Sequence, residues 1–273
     1  VKDFVSGNDS LIPLAGPANM QGRIVAENIC GINTRYESTQ GTAILKLFDL
    51  TFGMSGNNEK QLKRNGISYQ KVYAHSFSHA EYYPNAYPIT IKLLFSPENG
   101  KILGTQVIGR EGVDKRTDVI AMAIKLGGSV RDLIDAELAY APPFGSAKDP
   151  VNIAGMIAEN MLTGKVKPIF WDEIDKINNE FFILDVRADE DFKKVSGSLE
   201  NTYRIPLEQV RNRLSEIPTN KKVFVYCAKG LKSYFASRIL VQNGFQEVYS
   251  LNGGYLTLKH TLANKENKAL PAG

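Results

Sequence analysis

Hydrophobic positions follow three different patterns along the chain, and each pattern predicts a different kind of element. Between residues 8 and 31, Leu11-Ile12-Pro13-Leu14-Ala15 leads into a helix with Ile24, Val25, Asn28 and Ile29 spaced for burial, closed by Gly31. A single helix has no core of its own, so this face requires a partner surface. From Gly41 strands dominate. Residues 41–52 predict a strand, 58–65 a short helix stopped by Gly66, and 67–73 a second strand. Residues 89–95 and 101–108 flank Pro97-Glu98-Asn99-Gly100, a hairpin signal in which Asn-Gly supplies positive φ angles. Residues 114–126 form an amphipathic pattern with Val119, Ile120, Ala123 and Ile124 on one face and Gly127 as its stop. Asp149 suits an N-cap and Pro150 a first turn, predicting a helix to about Leu162. Consecutive strands beside segregated helices make this an α+β domain.

Thr163-Gly164-Lys165-Val166-Lys167-Pro168 reads as a linker. Beyond it, 182–186, 207–214, 223–226, 233–243 and 248–251 alternate strand and helix, the pattern of an α/β domain with a parallel sheet. Ligands in such folds bind beyond the carboxyl ends of the strands, where Asp185, Arg187 and Cys227 fall. From Lys259 the chain is polar and expected to fray, apart from Leu262.

Composition narrows the partners. The 273 residues suffice for two cores, and 43% hydrophobic with 23% charged residues is ordinary for a globular protein. A net charge of +4, with no basic run interleaved with aromatics, disfavours nucleic acid and suits a small phosphorylated molecule. Cys30 and Cys227 are the only cysteines, which argues against a disulfide framework or a zinc site and for a reducing, cytoplasmic compartment. His75, His79 and His260 lack ligand spacing, so no metal is expected. No apolar stretch has membrane-spanning length, and no signal peptide is evident.

The candidate chemistry centres on Val223-Phe224-Val225-Tyr226-Cys227-Ala228-Lys229-Gly230-Leu231-Lys232-Ser233. A short Val- and aromatic-rich run reads as a buried strand, followed by a loop and a helix with Ser233 as N-cap, Ile239 and Leu240 on its apolar face and Gly244 as its stop. Cys227 then faces the positive end of that helix beside Lys229 and Lys232, a setting that favours the nucleophilic thiolate. The stretch resembles the active loop of rhodanese-type sulfurtransferases: a Cys, a Gly three residues on, a basic residue and a Ser, matched by Cys227, Gly230, Lys232 and Ser233. The resemblance extends to Ile183-Leu184-Asp185-Val186-Arg187, Asp191-Phe192, Gly197, Ile205-Pro206-Leu207, Asn243-Gly244-Phe245 and Leu251-Asn252-Gly253-Gly254-Tyr255. Ser198 stands where the family usually has His, and Arg204 where it usually has Asn. The resemblance implies that Cys227 takes a sulfane sulfur as a persulfide. Backbone N–H groups of Ala228, Lys229, Gly230, Leu231, Lys232 and Ser233 would cradle it, and Lys229 or Lys232 would balance its charge. A cysteine-dependent phosphatase would need a phosphate-gripping Arg where Ser233 stands, and ranks behind. Asp185 and Arg187 read as a buried structural pair.

In the first domain, His79-Ala80-Glu81-Tyr82-Tyr83-Pro84, Glu111-Gly112-Val113-Asp114-Lys115-Arg116 and residues 140–152 resemble the dimerisation domain of flavin-dependent pyridine nucleotide–disulfide oxidoreductases, nearest to coenzyme A-disulfide reductases and related NADH oxidases. The resemblance implies residues 1–31 as the tail of an FAD-binding domain, 32–164 as the dimerisation domain and 165–273 as the rhodanese-like domain. It implies a homodimer in which Tyr82 and Tyr140 reach towards the partner's coenzyme A thiol and redox cysteine, Lys148 contacts coenzyme A phosphates, and Pro13, Leu14 and Ala15 lie near the flavin. No Gly-x-Gly phosphate turn follows any strand, so FAD and NAD(P)H are expected to belong to the complete enzyme and neither to bind this chain tightly. The function expected is the C-terminal portion of a coenzyme A-disulfide, persulfide or polysulfide reductase. A non-catalytic rhodanese-like binding or sensing module is the alternative.

Overall fold

The computed structural model describes residues 1 to 269, and the chain divides between Glu159 and Asn160 into two units. In the first, a parallel pair, β1 (Lys2–Asp3) and β2 (Ser38–Thr39), brackets α1 (Ala15–Ile29). Helix α1 buries none of its residues, and Val25 and Ile29 stand exposed. The face spaced for burial therefore lies open.

β3 (Ala43–Leu47) and β4 (Leu50–Gly56) are antiparallel neighbours, where the pattern over 41–52 predicted one strand. Phe48 turns the chain at φ 51°, a left-handed conformation usually announced by Gly or Asn, so nothing in the sequence marked it. Asn58 caps α2 (Glu59–Arg64) in a capping box with Gln61. β5 (Gln70–Phe77) begins three residues later than expected. β6 (Pro88–Phe95) buries Ile89, Ile91 and Leu93 at period two, each worth about 1.5–3 kcal/mol of transfer free energy. It pairs antiparallel with β7 (Ile102–Gly109). Of the Asn-Gly pair between them only Gly100 takes a positive φ, and the Ser96 N–H to Lys101 carbonyl bond at 2.9 Å closes a turn wider than two residues. The sheet order is β3-β4-β7-β6-β5.

α3 (Val113–Lys125) packs on β4 and β7. Its buried face is Val113, Arg116, Thr117, Ile120, Ala121 and Ile124, a rotation from the predicted one that leaves Val119 and Ala123 half-buried. Gly53 permits the approach, since a Cβ there would lie 2.0 Å from Thr117 Oγ1. α4 (Val130–Asp135) was not anticipated, being a single short turn capped by Ser129. α5 (Pro150–Leu162) begins as the Asp149-Pro150 signal predicted. The Asp149 carboxylate accepts the Val151 N–H at 3.1 Å and two Arg116 N–H bonds at 2.7 and 3.2 Å, and both charged groups are buried.

The second unit contains β8 (Lys167–Ile169), β9 (Phe181–Asp185), α6 (Asp189–Lys194), β10 (Thr202–Arg204), β11 (Lys222–Tyr226), α7 (Leu231–Gln242), β12 (Val248–Leu251) and α8 (Gly254–Ala269). All neighbours in the order β10-β9-β11-β12-β8 run parallel. Lys167 and Pro168, read as linker, lie in β8, and Leu207–Asn212 is a 3-10 turn. Residues 259–269 continue α8 where a frayed tail was expected; the rest of that tail lies outside the described residues. β11 is central and buried on both faces. Val223 and Val225 face Ala236, Ile239 and Leu240, while Phe224 and Tyr226 face Leu251, Tyr255 and Leu258.

At the first unit's sheet, Glu59 receives Tyr69 at 2.8 Å, Lys71 at 3.3 Å and Lys92. Burial raises its pKa, but the bonds from Lys92 and Tyr69 outweigh burial and leave it lowered from 4.5 to about 2. A depressed carboxyl pKa contributes stability that is complete above the unfolded value and fades as pH falls through the folded one. Urea unfolding of the parent should therefore lose stability between pH 4.5 and 2 more steeply than Glu59→Gln. Equal slopes would show that Glu59 is not linked to folding.

Candidate active site

Cys227 follows the last residue of β11, and its side chain is 2% exposed. Gly230, at φ 104°, bends the loop so that its N–H donates to Cys227 Sγ at 3.1 Å. That conformation is open to glycine at little cost, which is why the loop turns there. Gly230 is also the N-cap of α7, so Ser233 sits inside the first turn and not at the cap predicted for it. The loop needs the positive φ of Gly230, and the buried Ser233 hydroxyl instead donates to the Gly230 carbonyl at 2.9 Å, accepts from Ser250 Oγ at 3.0 Å and lies 3.6 Å from Sγ. The N–H groups of Leu231, Lys232 and Ser233 open α7 and have no intrahelical acceptor. Sγ thus lies beside a helix amino end with one N–H already on it.

Two walls hold this loop. At the start of α8, the Tyr255 N–H donates to the Cys227 carbonyl at 2.8 Å and the Leu256 N–H to the Ala228 carbonyl at 3.0 Å. Gly254 makes the approach possible: at φ 63°, an added Cβ would lie 2.6 Å from the Ala228 oxygen and 2.7 Å from the Cys227 oxygen. On the other side, Lys232 Nζ lies 2.7 Å from Asp191 Oδ2 and 3.5 Å from Glu208 Oε1. The Asp191 carboxylate beside it pushes the Lys232 ammonium above its ordinary range against the opposing effect of burial. Lys232, one of the two lysines expected to balance a charge on sulfur, lies against these two carboxylates. Ala228 is half-buried, and Lys229 and Leu231 are exposed at the loop's rim. Beneath the loop, buried Arg187 pairs with Asp185 at 2.6 Å, the structural pair read from the sequence. Arg204 reaches Asp189 at 2.6 Å.

In the first unit, Tyr82 and Tyr140 come together, and the Tyr140 hydroxyl raises the adjacent Tyr82 phenol above its ordinary pKa. Tyr82 is 77% and Tyr140 49% exposed, so the pair faces outward. The loops carrying them are joined by the Ala80 N–H to Gly145 carbonyl bond at 2.8 Å and by Arg116, which bonds both the Ser78 carbonyl and Asp149. Lys148 is exposed, and Lys115 Nζ is the amine near the Asp149 carboxylate, at 3.9 Å. Pro13 and Ala15 are exposed and Leu14 half-buried at the amino end of α1, which has no side-chain cap and no acid in its first turn. Ser250, Gly254 and Glu208 escaped functional assignment from the sequence. Only Gly254 carried a signal there, as half of a Gly-Gly pair directly before a helical pattern.

An antiparallel five-stranded sheet with a tyrosine pair, followed by a parallel sheet ending in a cysteine loop, defines a disulfide-reductase interface domain joined to a rhodanese-type domain. Residues 42–150 match the dimerisation domain of the pyridine nucleotide-disulphide oxidoreductases and residues 168–260 the rhodanese-like domain. The chain thus carries the dimerisation domain of the pyridine nucleotide-disulphide oxidoreductases followed by a rhodanese-like domain. It is 46% identical to the reduced CoADR-RHD of Bacillus anthracis, with a TM-score of 0.92 over 97% of this chain and 47% of that one. A NAD-dependent persulfide reductase from A. fulgidus is 37% identical, with a TM-score of 0.85 over 94% of this chain and 46% of that one. A coenzyme A disulfide reductase of Staphylococcus aureus is 38% identical over 149 residues, 54% of this chain and 34% of the relative. The chain thus spans 34% of that curated relative and just under half of the two solved structures. Among the described residues no His, Cys, Asp and Glu cluster could hold a metal, and no helix is long and apolar enough to cross a membrane.

Gly254→Ala should push the Cys227 and Ala228 carbonyls away and cost about 1–3 kcal/mol from backbone strain alone. Gly244→Ala, at φ 92° but with open space around it, isolates the conformational cost. Alkylation of Cys227 should accelerate in the first variant and not in the second. Equal rates would mean that α8 does not shape the loop.

Proposed function

We propose that this chain is the C-terminal portion of an FAD- and NAD(P)H-dependent reductase of coenzyme A disulfide, persulfide or polysulfide, whose rhodanese-like domain, 165–273, transfers sulfane sulfur. The observation that carries the sulfurtransferase half is the Gly230 N–H on Cys227 Sγ beside the opening donors of α7. Such a cradle stabilises a negative sulfur without a bound ion. In the transfer step the Cys227 thiolate attacks the outer sulfur of a donor R–S–SH. An Sγ–S bond forms, the donor's S–S bond breaks, and RS⁻ leaves with the electron pair. No oxidant is consumed.

The reductive half rests on the Tyr82–Tyr140 pair, whose phenols would donate to a departing thiolate in the homodimer, and on Lys148 as a contact for coenzyme A phosphates. Bound flavin and NAD(P)H would supply the reducing electrons. Pro13, Leu14 and Ala15 fit as one wall of a flavin site, because the helix end they form is uncapped and free of acids. The phosphate turns of such sites are Gly-rich strand-to-helix turns, which we place in the part of the relatives that this chain does not span. Fusion of the two domains raises the effective concentration of one site for the other into the ~mM range typical of short tethers. A cytoplasmic location is part of the same reading, given a reactive thiol that must stay reduced.

Three measurements test the proposal. Cys227→Ser should abolish sulfur transfer to cyanide at an unchanged melting temperature, since Ser is nearly isosteric; residual transfer would place the chemistry elsewhere. In light scattering the chain should show twice its monomer mass, as an isologous interface of roughly 2,000 Å² or more would give, and its visible spectrum should show no stoichiometric flavin. A clean monomer, or a yellow protein, would count against the assignment of the first unit.

A further inference from the structure

We propose that Asp191 and Glu208 set the donor class of the Cys227 loop by holding Lys232 as an internal counter-ion, so that the loop takes sulfur from organic persulfides and discriminates against dianionic donors such as thiosulfate. The proposal rests on the sulfurtransferase reading above.

The loop's cation is already engaged. Lys232 Nζ lies 2.7 Å from Asp191 Oδ2 and 3.5 Å from Glu208 Oε1, and the two carboxylates come from separate elements, α6 and the 3-10 turn Leu207–Asn212. Two carboxylates against one ammonium leave this wall of the loop with a net negative charge. Even counting exposed Lys229, the four groups sum to zero. An incoming dianion would therefore meet like charge at the wall where a thiosulfate site needs free cations, and like-charge juxtaposition is a strong device for rejecting a wrong partner.

What the loop does offer suits a different donor. The Gly230 N–H at 3.1 Å from Sγ and the opening N–H groups of α7 can hold one terminal sulfur. Beside them Leu231 and Phe235 stand 63% and 46% exposed, four residues apart and so on one face of α7. That apolar strip can receive the carbon chain of an organic thiol; a sulfonate would gain nothing from it. With a persulfide the leaving group is a thiolate, R–S⁻, whereas thiosulfate must expel sulfite dianion past Asp191 and Glu208. Atoms and electrons balance in both cases, so selection falls on charge and not on redox requirements. Asp191 and Glu208 are positioning residues here: they act through Lys232 and touch no reacting atom.

The test compares the persulfide of 2-mercaptoethanol, which carries no charge besides its sulfur, with thiosulfate as donors to the full chain, following persulfide formation on Cys227 by mass spectrometry. The parent should favour the organic persulfide by about tenfold or more in kcat/KM. Asp191→Asn combined with Glu208→Gln should narrow that ratio by about tenfold through a lower KM for thiosulfate, the size expected when a like charge is removed beside an anion. Glu208→Gln alone, at a more exposed position, should move it the same way by less. A ratio unchanged in a double variant that melts like the parent would overturn the proposal. A variant-free arm uses ionic strength: salt should raise thiosulfate loading of the parent, because it screens repulsion, and a fall with salt would equally overturn it. Protection of Cys227 from alkylation by thiosulfate reads anion entry without turnover, and should be weak in the parent and stronger in the double variant. Should neither donor load Cys227, the sulfurtransferase reading fails, while equal protection of parent and double variant would independently refute the charge argument.

Discussion

The second unit depends on one buried cation. Arg187 bonds the Asp185 carboxylate in the same turn of chain and the carbonyl of Gly197 at 2.7 Å, and its guanidinium is stacked among Phe192, Tyr226 and Tyr255. The carboxyl end of β9, the segment after α6, the last residue of β11 and the first turn of α8 therefore converge on a single group. Removing one partner of such a pair typically costs about 3–5 kcal/mol, because the other charge is left buried and alone. The Cys227 loop lies between two of these segments, so its shape follows from a contact it does not itself make. Gly197 at φ 98° belongs to the same arrangement: a Cβ there would press on the Tyr255 hydroxyl at 2.8 Å.

The first unit solves a similar problem with the same chemistry. Asp149 caps α5 and neutralises Arg116, and Asn152, three residues on, donates to the Leu133 and Ala136 carbonyls at 2.9 Å. Two loops with little regular structure, carrying Tyr82 and Tyr140, are thereby tied to the sheet and its helices. Polar side chains inside a unit are doing here what hydrogen-bonded strands do elsewhere, which is to satisfy backbone groups that have no partner in regular structure.

Much of this was readable from residue order because strong local signals and tertiary packing agree. β6, β7 and β11 announce themselves by period or by continuous apolar runs, and Asp149-Pro150 marks the start of α5. Failures cluster where packing overrides propensity. Phe48 adopts a left-handed turn without a turn residue, and β10, at three residues, is too short for any periodicity. Ser233 has the chemistry of an N-cap, yet Gly230 takes that place because the loop needs its positive φ, which frees the serine hydroxyl for buried bonds to Gly230 and Ser250. Lys232 shows the limit most clearly. A lysine beside a cysteine suggests an anion partner, but Asp191 and Glu208, 41 and 24 residues earlier, reach it only in the folded chain.

The bonds from Tyr255 and Leu256 to the carbonyls of Cys227 and Ala228 have a consequence for biosynthesis. A ribosome delivers residues 227 to 233 well before residues 254 to 256, so a nascent chain carries the nucleophile for a time without the structure that seats it. A polypeptide interrupted before Gly254 would expose a mobile thiol and half of a core, the features by which quality-control proteases find their substrates. Control over Cys227 is thus complete only once translation has passed α8, and a stop before Gly254 yields debris in place of a poorly controlled sulfur carrier.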